Sequence, residues 1–202
     1  MKRQELQAEF DRFKFQISVI RAGSGKDRDE LIALSSQQIC VSICGSLEQM
    51  LKRIFIEYAK QRSNSRIYRP IEKICESYQN PKSSKILELI GLFDSDFESE
   101  LKRQWEHESD SEKQYIDNLV DDRITIAHRK KIHVDVSTGK LQNYFVAYSG
   151  LLSRVYEHFL GNKCRKDAAF LRARFKSLSS VAVLCGSSHD HADGRDLCPS
   201  GR

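Results

Sequence analysis

Residues 27–65, DRDELIALSSQQICVSICGSLEQMLKRIFIEYAKQRSNS, decide the fold of this chain. Leu31, Leu34, Gln38, Ile39, Val41, Ile43, Leu47, Met50, Leu51, Ile54, Phe55 and Tyr58 form one long apolar face, on which Ile43, Leu47, Leu51, Ile54 and Tyr58 recur at steps of three and four. That period gathers side chains on one face of an α-helix instead of alternating them as on a strand. Roughly thirty residues at 1.5 Å rise make about 45 Å of helix, a length that suits the spine of a bundle. Asp27 to Asp29 mark its start, Gly45 is a place for a bend, and Arg62-Ser63-Asn64-Ser65 stops it.

Working outward, Leu6, Phe10, Phe13, Ile17 and Ile20 form the buried face of a first helix that Gly23-Ser24-Gly25 ends. Past the spine, Pro70 is expected to open a short helix through Tyr78, because proline's missing N–H costs nothing in a first turn, and Asn80-Pro81 to break it. Ser83 or Ser84 then caps a helix to Phe93, Asp94-Ser95-Asp96 starts one carrying Phe97, Leu101 and Trp105, and Ser109 or Ser111 starts the next. After an extended His133-Val134-Asp135-Val136, Ser137 caps a closing helix whose face runs from Leu141 through Tyr144, Tyr148, Leu152 and Val155 to Phe159, with Gly161 as its terminator. Val134 to Val136 is too short to found a sheet. The expected class is therefore all-α, a bundle of long antiparallel helices without significant sheet. Residues 1–160 are expected to form this helical domain, 161–178 a basic C-terminal helix or extension, and 179–202, where Gly, Ser, His and Asp dominate, a disordered tail.

At 202 residues, 40% apolar and 30% charged, the chain is large enough for one globular domain with a core. Its apolar runs fall far short of the ~20 residues that cross a bilayer. Met1-Lys2-Arg3 leads into a charged amphipathic segment instead of a signal region, so the expected location is the cytoplasm, with no membrane partner. Cys40 and Cys44 lie one turn apart on an apolar face, where free thiols act as small hydrophobes, and no disulfide framework is expected. Cys185, His189, His191 and Cys198 are zinc-type ligands, but their spacing matches no usual zinc pattern, so no metal or other cofactor is expected. The net charge of +5 is concentrated in Arg129-Lys130-Lys131 and between Lys163 and Lys176, which favours a polyanion nearby; solvated helix faces are the ordinary alternative.

Leu119-Val120-Asp121-Asp122-Arg123-Ile124-Thr125-Ile126-Ala127-His128 carries the chemistry. On a helix, Ile116, Leu119, Val120, Ile124 and Ala127 gather into one stripe, and Arg123, two turns after Ile116, falls within it. A guanidinium is costly to bury alone, so the stripe must meet a partner, a ligand or water at that height. His128 stands about 140° round the helix and about 7.5 Å along it, so a single copy does not obviously converge the two side chains, whereas a facing copy can. Arginine and histidine are the pair that metal-free RNA cleavage needs. An imidazole of ordinary pKa about 6.5 can exchange a proton near neutral pH, and a guanidinium can pair with an anion. Arg123 and His128 are therefore the candidate catalytic residues, and Arg129, Lys130 and Lys131 the candidate RNA-binding cluster. The plainer alternative has Arg123 snorkelling to the surface, His128 capping a helix end, and Asp121 and Asp122 as solvated helix-face charges.

The chain resembles the HEPN superfamily, specifically domains of the RiboL-PSP-HEPN type. The likeness rests on Ser46 to Arg53 with Glu57-Tyr58, on Gln79 to Ile90 with Phe93, and on Leu119 to His128, which together span roughly residues 28–160. The resemblance implies a helical bundle that dimerises so that two Arg-x4-His motifs face one another. It also implies a metal-independent endoribonuclease of toxin–antitoxin or defence type, leaving a 2′,3′-cyclic phosphate and a free 5′-hydroxyl. By this likeness His128 is the acid/base residue, Arg123 binds phosphate, RNA is the substrate, and a second copy and a cognate antitoxin protein are the partners. Ile124 stands where many active motifs have a polar residue, and Arg129 where this type often has glycine. The alternative implied by those departures is a catalytically inactive HEPN module that binds RNA or a partner protein.

Overall fold

The apolar period of the spine folds as one unbroken helix, α2 (Asp29–Arg62), whose 34 residues make about 51 Å. The computed structural model describes residues 1–22, 29–107, 111–128 and 135–161. Gly45 faces open space and does not interrupt α2. Around it stand α1 (Arg3–Ala22), α3 (Ser65–Ser77), α4 (Ser83–Phe93), α5 (Ser95–His107), α6 (Ser111–Ala127) and α7 (Thr138–Leu160), with no strand among the described residues. The protein is an all-α bundle. No helix among the described residues is long and apolar enough to cross a membrane.

Side-chain pairs fix the directions of the helices. Ser46 meets Tyr148 through their hydroxyls at 2.9 Å, and Phe55 meets Phe159 at 4.9 Å between centroids, so α2 and α7 run the same way. Helix α1 runs antiparallel to both, with Glu5 on Arg53, Arg3 on Glu157 and Phe10 against Tyr148. Helix α6 runs antiparallel to α7, with Glu112 on Arg154 at one end and Asp122 on Tyr144 towards the other. Helix α2 packs against α1, α3, α6 and α7. Phe13, Leu47, Leu51, Ile54, Leu151 and Leu152 are consequently buried, as are the aromatic rings of Phe55, Tyr58, Phe93 and Phe159 that close the α2, α4 and α7 junction. Burial of each such side chain contributes about 1.5–3 kcal/mol.

Four local expectations change. Helix α3 begins at Ser65, not Pro70, because the Asn64 side chain accepts from the Arg66 amide at 3.1 Å. Pro70 is then inside the helix, where it removes the one N–H that would reach the carbonyl of Arg66. Helix α4 starts at Ser83 without a cap from its own serines; the acceptor comes from α6, as described below. Leu31 and Leu34, placed on the apolar face of the spine, are 65% and 58% exposed, Leu34 in an open groove between α1 and α2. On α6, Ile116, Leu119 and Val120 are buried, whereas Ile124 is half-buried and Ala127 exposed, so the expected stripe is covered only along its first part.

Other boundaries agree with the sequence. Asp94 caps α5, accepting from the Asp96 and Phe97 amides at 3.0 Å each, and Ser137 caps α7, accepting from the Lys140 amide at 3.2 Å. Gly161 ends α7 in extended backbone, with φ −68°. Glycine fits there through close approach, since a Cβ would lie 2.4 Å from the Glu157 carbonyl oxygen. Gly23-Ser24-Gly25, Ser109, His133-Val134 and everything from residue 162 onward, including the basic extension, the tail and Cys185, His189, His191 and Cys198, lie outside the described residues.

Candidate active site

Arg123 lies on α6 where that helix crosses α2 and the connection between α3 and α4. It is half-buried, and its Nη1 donates to the side-chain oxygen of Asn80 at 3.1 Å. Asn80 is in the left-handed region, with φ 54°, a conformation that asparagine tolerates better than most residues. Its backbone N–H donates to Glu48 Oε2 at 3.3 Å, and its carbonyl accepts from the Lys82 amide at 2.8 Å across the buried Pro81. Glu48 is in turn paired with Lys52 at 3.0 Å, one turn further along α2.

The connection is fastened along α6 at three heights. Asp117 Oδ1 accepts from the Ser83 amide at 2.7 Å and its Oδ2 from the Ser83 hydroxyl at 2.8 Å, so α6 supplies the cap of α4. Asp121 pairs with Lys82 at 2.6 Å. Arg123 reaches Asn80 at the third height. Asp122, on the other side of α6, accepts from the Tyr144 hydroxyl at 2.7 Å and lies 3.6 Å from Lys140 Nζ. Asp121 is thus an exposed pair, as a solvated helix face predicts, whereas Asp122 is half-buried and bound to α7.

Among the described residues no carboxylate forms an ion pair with Arg123. Asp117, Asp121, Asp122 and Glu48 each serve another group, and among the described residues the bonded partner of Arg123 is a neutral amide. A guanidinium has five N–H donors, of which the bond to Asn80 uses one among the described residues, and the rest can serve an incoming anion. Its field reaches the core behind it: burial pushes the Cys44 thiol up to about 12, with the Arg123 charge opposing that rise. Burial likewise pushes Cys40 up to about 12, reinforced by Asp122. Both thiols are protonated packing groups at neutral pH and not nucleophiles. Tyr78, beside this junction, is driven well above the ordinary phenol range by burial and then by the Glu48 charge.

The model matching RiboL-PSP-HEPN domains covers residues 4–160. The chain belongs to the RiboL-PSP-HEPN family. The match begins in the first turn of α1 and ends on the last residue of α7, so the HEPN domain contains every described helix. Membership supports an RNase-like role. No curated protein and no solved structure matches the chain.

Within this HEPN domain His128 is the turn residue after α6; its amide donates to the Ile124 carbonyl at 3.0 Å and its side chain is exposed. Arg123 and His128 share one helix end, but no contact joins their side chains within the protomer. Arg129, Lys130 and Lys131 lie outside the described residues. Among the described residues no group of His, Cys, Asp and Glu is arranged to hold a metal ion. Sequence reasoning missed Asn80 and Glu48 as members of the site. Asn80-Pro81 reads as a helix breaker, and the available signal was that asparagine tolerates positive φ and can still accept a hydrogen bond.

Proposed function

We propose that this HEPN domain is a metal-independent endoribonuclease that acts as a homodimer, in which the exposed His128 of each copy faces the other across the ends of α6. His128 takes the proton of a ribose 2′-hydroxyl. The resulting oxyanion attacks the adjacent phosphorus, the P–O5′ bond breaks as the histidinium returns a proton to the departing 5′-oxygen, and a 2′,3′-cyclic phosphate and a free 5′-hydroxyl result. Arg123 holds the phosphate oxygens as their charge grows. Arg129, Lys130 and Lys131 bind the flanking RNA backbone, and a cytoplasmic toxin–antitoxin or defence setting, with a cognate antitoxin protein, is the context. The observation that carries this reading is the half-buried Arg123, which bonds to neutral Asn80 and, among the described residues, is in no ion pair, while four nearby carboxylates are engaged elsewhere.

The test is cleavage of a mixed-sequence RNA in EDTA by wild type, Arg123→Ala and His128→Ala. Scission by wild type alone, ending in a cyclic phosphate, is expected; equal scission by all three, or a requirement for a divalent metal, overturns the assignment. Ile124 favours a second reading, a silent module that binds RNA or a partner protein, because an apolar, half-buried residue offers His128 no polar helper. Salt-sensitive RNA binding without scission is its expected signature.

A further inference from the structure

Four features converge at one residue between α3 and α4. Asn80 has φ 54°, its amide hydrogen is held by Glu48 of α2, its carbonyl is held by the Lys82 amide across buried Pro81, and its side-chain oxygen accepts from Arg123 of α6. Two further rungs, Lys82 on Asp121 and Ser83 on Asp117, bind the same connection to α6. The backbone of Asn80 is therefore fixed from two sides before its amide group meets Arg123. Residues other than glycine, asparagine and aspartate are strained at this φ, and the proline that follows restricts the backbone further.

We propose that Asn80 is the positioning residue of Arg123, setting the guanidinium at phosphate-binding height without neutralising it; the inference rests on the ribonuclease reading. Three requirements select asparagine. The residue must accept positive φ, present a carbonyl oxygen to a guanidinium N–H, and carry no charge. Glycine meets the first and lacks the second. Aspartate meets the first two, but its carboxylate would cancel the charge that phosphate needs. Asn80 itself touches neither the attacking hydroxyl nor the phosphorus. It acts through Arg123, whose misplacement by about 1 Å is enough to cost on the order of 100-fold in rate.

The experiment compares the full chain with Asn80→Gly and Asn80→Asp by two readouts. The first is NMR of the Arg123 guanidinium in the RNA-free protein, following rotation about its Cζ–Nε bond; the second is kcat and KM on a model RNA in EDTA. Restricted rotation is expected in wild type, free rotation in Asn80→Gly, and restricted rotation again in Asn80→Asp. In parallel, Asn80→Gly should lose about 10- to 100-fold in kcat with a smaller change in KM. Asn80→Asp should instead raise KM, because its charge competes with the phosphate. Free rotation of Arg123 in wild type, or wild-type rotation and kcat in Asn80→Gly, overturns the proposal. The NMR readout needs no cleavage. If wild type cuts no RNA, the ribonuclease reading fails while the rotation measurement still decides whether Asn80 holds Arg123.

Discussion

Two of the polar junctions that fasten helices in this bundle differ in how charge is compensated. Where α4, α5 and α7 meet, Asp94 Oδ1 accepts the first amides of α5 while Oδ2 lies 2.9 Å from His158 Nε2. The imidazole stacks on Phe97 at 3.9 Å between centroids, nearly parallel. Burial pushes the Asp94 carboxyl up, but the Phe97 amide, His158 and the Asp96 amide together bring it below the ordinary range. Every participant there has a partner of complementary charge or polarity. At the junction of α2, α6 and the α3–α4 connection the cation is Arg123, and what holds it is a neutral amide. A closed junction contributes to stability; an open one leaves binding capacity for a ligand.

The sharpest way to break this comparison is to remove the open cation. Arg123→Met should lower RNA cleavage by about 10³-fold, an effect of the size expected for loss of a group that stabilises the transition state. Its thermal midpoint should stay level or rise, because a half-buried, uncompensated charge is replaced by an apolar side chain of similar length. A steep fall in the midpoint would make Arg123 a structural residue like Asp94. Next in size, Asp117→Ala deletes the cap that α6 gives to α4 and should cost about 1–2 kcal/mol in urea unfolding, with partial loss of cleavage as the Asn80 connection loosens.

At the closed junction, Asp94→Ala should cost about 1 kcal/mol and leave cleavage at the wild-type level; a loss of activity matching that of Arg123→Met would remove the distinction between the two junctions. The same junction sets a pH dependence. The folded carboxyl of Asp94 titrates below its unfolded value, so its contribution is complete above the ordinary aspartate pKa of about 3.9 and is lost as pH falls through the lower folded value. Acid titration of stability should therefore show a shallower decline for Asp94→Asn than for wild type below about pH 4. The smallest effect concerns salt. Because Arg123 has no ion-pair partner to release among the described residues, Arg123→Met should reduce the slope of log affinity against log salt by about 0.7 for a single-stranded, 2′-O-methylated RNA, whereas Asp94→Asn leaves that slope unchanged.

Helix α6 illustrates how far the sequence could be read. Its period places Ile116, Leu119 and Val120 on one face, and all three are fully buried. The same period places Ile124 and Ala127 there too, yet Ile124 is half-buried and Ala127 exposed. Leu31 and Leu34 at the start of α2 are likewise exposed. Periodicity reports which side of a helix is apolar, not how far along that side a neighbour extends. Arg123 stood out because it interrupts an apolar stripe. Asn80 did not, because the partner it meets is 43 residues away in sequence.

By itself the sequence determined the all-α class, the order of the seven helices among the described residues, most of their ends, and the pairing of an arginine with a histidine on one segment, since these depend on local periodicity, capping and composition. Tertiary packing decided that α6 caps α4, that Asp121 and Asp122 serve different helices, and that Arg123 rests on Asn80 with its charge intact. Those outcomes depend on which oxygens come within about 3 Å of which donors once distant segments meet, and hydrogen bonds and ion pairs fall away too steeply with distance for any one-dimensional pattern to encode them.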